Sequence, residues 1–106
     1  MPKYLGHGSY TADGWKGLEK ELPTHRQEFI ANFLASVGGK LESFYFTFGE
    51  HDFVWIADYP DDITAAAVAV AVHESGMVKS HQTPLLTAED MDAALKKHVA
   101  YRAPGR

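Results

Sequence analysis

The stretch KLESFYFTFGEHDFVWIADY, Lys40 to Tyr59, decides the fold, because two runs of strand-forming residues flank a short polar turn. Phe44, Phe46 and Phe48 alternate with Ser43, Tyr45 and Thr47, while Leu41 stands apart. This period of two predicts a strand with two unlike faces. Gly49-Glu50-His51 supplies a turn, and a second strand runs from Asp52 to Tyr59. A three-residue turn pairs Phe46 with Val54 and Phe44 with Ile56. That register places Phe44, Phe46, Phe48, Val54 and Ile56 on one side of the hairpin, and Tyr45, Thr47, Phe53 and Trp55 on the other. A two-residue turn would scramble these faces.

Working outward, Pro60-Asp61-Asp62 provides a turn, a cap and negative charge at the start of a helix from Ile63 to Glu74, which Ser75-Gly76 stops. Alternating Val68, Val70 and Val72 also fit a strand, but five alanines between Ala65 and Ala71 and the acidic cap decide for helix. Met77 to Thr83 is a strand ended by Pro84, and Thr87-Ala88-Glu89-Asp90 opens a last helix. Its stripe is Met91, Ala94, Leu95, His98 and Val99, with Lys96 and Lys97 near the negative end of the dipole. On the N-terminal side, Lys3 to Tyr10 has strand character with two glycines, a sign of close packing against the backbone. Thr11 caps a short helix carrying Trp15, Leu18 and Leu22 up to Pro23. Thr24 and Gln27 match a capping box for the next helix, striped with Phe29, Ile30, Phe33, Leu34 and Val37 and ended by Gly38-Gly39.

The order strand, helix, strand, strand, helix, strand, plus a terminal helix, predicts an α+β protein of the ferredoxin-like βαββαβ type. Its four-stranded antiparallel sheet has the order 4-1-3-2, with both crossover helices on one face. With 106 residues the chain is read as one domain, residues 1–106. Ten Lys and Arg against 14 Asp and Glu give a net charge of −4, without the basic footprint of a nucleic-acid binder. The absence of cysteine excludes disulfides, thiolate metal sites and a Cys nucleophile. The apolar run Ile63 to Val72 is 10 residues long, about half of the ~20 that cross a bilayer, and is read as buried in protein. With no signal-peptide core at the N-terminus, no membrane partner and a cytoplasmic location are expected.

If the helices cover the phenylalanine side, the bare sheet face carries Leu5, His7, Ser9, Tyr45, Thr47, Phe53, Trp55, Lys79, His81 and Thr83. So dense an aromatic patch predicts a homodimer, or higher homo-oligomer, packed sheet against sheet. His7, Trp55 and His81 would then converge near the sheet centre.

The start Met1-Pro2-Lys3-Tyr4-Leu5, the segment Ser9 to Gly14, Gly38-Gly39-Lys40-Leu41, Phe48 to Asp52, Asp58-Tyr59-Pro60-Asp61 and Thr83-Pro84-Leu85-Leu86 together resemble the GYD-domain family of small bacterial proteins. The family pattern Gly, any residue, Tyr, Asp corresponds to Gly49, Glu50, His51 and Asp52, with His51 where the Tyr is expected. The family is similar to the dimeric α/β-barrel group, which includes ligand-sensing domains, cofactor-free monooxygenases and haem-handling enzymes. The resemblance implies the fold and a barrel-type dimeric association.

Candidate chemistry is sparse. No two of the six histidines lie four apart on one helix, and His25, His73 and His98 read as structural helix residues. His51 and Asp52 are adjacent strand residues and point apart, so Asp52 reads as a turn-fixing carboxylate. Asp58, Asp61 and Asp62 read as charge at a helix N-terminus rather than a magnesium site. No metal and no cofactor are expected. The leading expectation is a homodimeric module that binds a small organic ligand through His7, Tyr45, Phe53, Trp55 and His81. Two alternatives stand beside it: a cofactor-independent monooxygenase or isomerase with His7 or His81 as base, and a purely structural or regulatory oligomer.

Overall fold

The hairpin closes one residue away from that register. In a computed structural model describing residues 1–106, Phe44 pairs with Trp55, Tyr45 with Val54 and Phe46 with Phe53. The elements are β1 (Lys3–Tyr10), α1 (Ala12–Glu21), α2 (Pro23–Ser36), β2 (Lys40–Phe46), β3 (Phe53–Asp58), α3 (Asp62–Glu74), β4 (Val78–Leu85) and α4 (Ala88–Leu95). They form the ferredoxin-like α+β arrangement, with four antiparallel strands in the order β2-β3-β1-β4. This is 4-1-3-2 read from the opposite edge.

The register matters because side chains alternate with a period of two, so a slip of one residue turns over every side chain of β3 relative to β2. The turn is one residue longer than expected: Thr47 N–H donates to the Asp52 carbonyl at 2.8 Å, leaving Phe48 to His51 outside the ladder. Phe53 and Trp55 therefore join Phe44 and Phe46 beneath the helices, while Val54 and Ile56 move to the bare face beside Tyr45. The placement of Phe53 and Trp55 on the bare face is corrected accordingly.

The cause lies in β1. Trp55 pairs with Gly6 and Phe53 with Gly8, and each ring lies over the glycine opposite. A Cβ on Gly6 or Gly8 would stand 2.1 Å from the nearest ring atom, so these positions must lack a side chain. The glycines make room for rings of the same sheet. A bulge between Leu41 and Ser43 then brings Leu41, opposite Ala57, onto the same covered side as Phe44.

Two neighbouring clusters form the core: Tyr4, Leu34, Ala57, Tyr59, Ala65 and Val68, and beside them Phe44, Phe53 and Val78. Thr11 caps α1 by accepting from Gly14 N–H at 3.1 Å. The capping box expected at Thr24 does not form. Instead α2 starts at Pro23, whose fixed φ suits a first helical turn, after Leu22 at φ 78°. Asp61 caps α3, its carboxylate accepting from Thr64 N–H at 2.7 Å. The inner side of α3 buries Ala65 and Val68, but Ile63, Ala66, Ala67 and Val70 face outward and are exposed, so only two residues of the apolar run are buried.

Thr87 and Asp90 form a capping box at α4, yet no residue of that helix is buried. It ends at Leu95, which leaves His98 and Val99 beyond it. The radius of gyration is 17.0 Å and the longest extent 56 Å. A compact chain of this length would have a radius of about 13 Å. The C-terminal segment therefore projects as an arm. No helix is long and apolar enough to cross a membrane.

Candidate functional site

The two crossover helices cover only part of the sheet. α2 packs on β2 and α3 on β4, the two outer strands; Tyr4 of β1 and Ala57 of β3 are buried between them, and a gap remains over Phe44, Phe53 and Trp55. The gap is a cleft of about 350 Å³. That lies in the range of small-molecule sites, ~300–1,000 Å³. Its floor is a row of rings from the sheet: Phe44 and Phe53 are stacked at 5.5 Å, as are Phe53 and Trp55. Ile30 and Phe33 of α2 form one wall, and Val68 and Val72 of α3 the other. At the rim, the Arg26 guanidinium lies 4.7 Å over the Phe29 ring and 3.4 Å from the Glu21 carboxylate.

Among the polar groups of this largely apolar lining, two buried atoms lack a partner. Tyr59 has no exposed surface, and its hydroxyl has no hydrogen-bond partner. The Gln82 amide donates from Nε2 to the Ala65 carbonyl at 3.2 Å, which orients the side chain and leaves its buried Oε1 without a partner. A buried polar atom left unpaired costs about 1–3 kcal/mol, so native interiors hold few of them. Both residues line the cleft, and both atoms sit behind its open surface.

The phenols here are neutral. Burial pushes the Tyr59 pKa up; the nearby Trp55 indole N–H opposes this weakly but does not reach hydrogen-bonding geometry. Burial pushes Tyr10 up to about 12, with the Arg26 charge opposing. Both hydroxyls thus offer a donor and an acceptor near neutrality and are poor bases.

Of the five residues expected to bind ligand, the structure places Phe53 and Trp55 in the cleft and His7, Tyr45 and His81 on the bare face. His7 pairs directly with His81 across β1 and β4, and its ring lies 4.7 Å from that of His51. Trp55 is on the other side of the sheet, so the expected convergence of His7, His81 and Trp55 does not occur. For the same reason, a base at His7 or His81 would not meet the ring-lined pocket assigned to it. No three His, Asp or Glu side chains converge as a metal site requires.

The remaining polar candidates have structural partners. Asp52 accepts from Tyr10 N–H at 2.9 Å and ties the hairpin to β1. Asp61 caps α3, Asp62 accepts from the Tyr4 hydroxyl, and Asp58 lies 3.0 Å from Lys3. His73 accepts at Nε2 from Ser80 N–H at 3.0 Å, satisfying an outward-facing donor of edge strand β4. Tyr59 and Gln82 are not among the site residues that the sequence predicts. For Gln82 a signal was present: it shares strand parity with Val78 and Ser80, which puts an amide on the covered side.

A sequence model of the GYD domain matches residues 4–95. No curated protein and no solved structure matches the chain.

Proposed function

The chain belongs to the GYD-domain family, and from that premise we propose that it is a small-molecule-binding module whose ligand lies in the cleft between α2 and α3. One observation carries the reading: the Tyr59 hydroxyl and Gln82 Oε1 are both buried and unpaired around one apolar cavity. The fitting ligand is a flat, largely apolar molecule bearing a hydroxyl or amide. Its hydrogen donates to Gln82 Oε1, its oxygen accepts from Tyr59, and its body stacks on Phe53 and Trp55. Each ring contact contributes about 0.5–1.5 kcal/mol beyond area burial, and each hydrogen bond a similar amount.

The bare face is assigned to a second copy. Antiparallel sheets can leave one face to water, but that face then alternates to polar residues. Here its centre is Leu5, Val54 and Ile56, with Tyr45 at 67% exposure beside them. Sheet-to-sheet pairing of two copies would bury this patch and use His7 and His81 as polar contacts within it.

Mass spectrometry of small molecules released on denaturing the purified native protein tests the ligand assignment. A flat hydroxylated or amide-bearing molecule is expected, and it should be lost from Val72→Trp, which fills the cleft. Equal retention by Val72→Trp, or no release together with no binding of a panel of aromatic alcohols, contradicts the proposal.

A further inference from the structure

We infer that α4 of one copy docks antiparallel on the outer face of α3 of a second copy. The first ground is α3 itself. No charged residue occurs from Ile63 to Val72, and its outward stripe is Ile63, Ala66, Ala67 and Val70, at the i, i+3, i+4, i+7 spacing of one helix face. Ile63 is 81% and Val70 55% exposed. A helix apolar on all sides is a buried helix, so this face is built to be covered.

The second ground is α4. An isolated helix of fewer than ~12–15 residues is marginal in water and needs tertiary packing. α4 has eight residues and buries none of them. Met91 and Leu95, one turn apart, form its apolar ridge, and Leu95 is 79% exposed. Only Leu86 and Thr87 connect it to β4, and the Thr87–Asp90 capping box fixes its start, so it leaves the body without packing on its own α3. The occupant of the stripe is therefore another copy.

Charge sets the direction. Residues 1–95 hold 14 acids and 6 bases, a net −8, whereas residues 96–106 hold four bases and no acid, which together give the chain's −4. Asp61 and Asp62 stand at the start of α3, and Lys96 and Lys97 directly follow α4. Antiparallel packing brings these opposite charges together. It also opposes the two helix dipoles. Leu95 then sits over Ala66 and Ala67, whose small side chains admit it, and Met91 over Val70.

This contact is separate from the sheet-face pairing, so a chain that uses both assembles beyond a dimer. Light scattering on the full-length protein tests it: Leu95→Asp and Ile63→Asp should each lower the native mass at least twofold, with circular dichroism of the sheet retained. Phe48→Asp, at an exposed hairpin tip, should leave the mass unchanged. Ile56→Lys breaks only the sheet-face pairing, so the two interfaces fail separately. The chain has no cysteine, which makes disulfide trapping clean. An oxidised mixture of Ala66→Cys and Leu95→Cys should give the covalent heterodimer, and Val70→Cys with Leu95→Cys should not. A native mass insensitive to Leu95→Asp, or closure of the Ala66→Cys/Leu95→Cys double variant within one chain, overturns the inference.

Discussion

The Trp55 indole lies across Gly6, occupying the space that any side chain at residue 6 would need. Phe53 does the same at Gly8, so the two glycines set which face of β3 lies under the helices. Gly6→Ala and Gly8→Ala should each destabilise the fold by about 1–3 kcal/mol, the usual cost of overpacking a fitted core. Gly17, in α1 with open space around it, is the contrast. Gly17→Ala should stabilise by about 0.5–1 kcal/mol through helix propensity. Urea denaturation of the three variants checks both signs.

Removing the floor of the cleft should cost more than removing the same chemistry from the bare face. Phe53 is buried among Phe44, Tyr10 and Trp55, and Phe53→Ala should cost about 3–5 kcal/mol. Tyr45→Ala should leave the urea midpoint of dilute protein nearly unchanged and act on self-association instead. Sedimentation and denaturation measured on both variants separate the two effects.

Tyr59→Phe removes a hydroxyl that has no partner. Stability should be equal or higher, because an unpaired buried polar atom is lost. Binding of 2-naphthol should weaken about tenfold, roughly the 1.4 kcal/mol of one hydrogen bond. Calorimetric titration beside naphthalene, which lacks the hydroxyl and should not distinguish the two proteins, checks this.

Alkaline pH should unfold the protein through its phenols. The hydrogen bond to Asp62, followed by burial, pushes Tyr4 up to about 12 from an ordinary 10.0, and burial pushes Tyr10 to about the same value. A pKa raised by folding means the native state favours the protonated phenol. That stabilisation is complete below the unfolded value near 10 and is lost as pH rises through about 12. Urea midpoints should hold to about pH 10 and then fall, with a shallower fall in Tyr4→Phe.

Element order and strand order were legible because they rest on local signals: the period of two in β2, the glycine stops after α2 and α3, and the Asp61 and Thr87 caps. The hairpin register was not. A three- or four-residue turn fits Phe48 to His51 equally well, and the deciding partners, Gly6 and Gly8, sit on another strand. The Thr24-Gln27 pair matches a capping box locally, but Pro23 starts α2 before it. Phe53 and Trp55 thus lie on the face opposite to the one the spacing predicts. Tyr59 became a site residue only once the register put Phe53, Trp55 and Ala57 under the helices, with Tyr59 continuing that side. That α4 stands clear of the body is a matter of tertiary direction, which its capping residues do not encode.

The proposed function requires a ligand between α2, α3 and the ring-lined side of the sheet. Two-dimensional NMR of the isotope-labelled protein titrated with 2-naphthol tests this most directly. The Trp55 indole N–H, the Gln82 amide and the Val68 and Val72 methyls should shift together, while Leu5, Tyr45 and His81 stay still. Shifts confined to that second group, or none at saturating 2-naphthol, would contradict it.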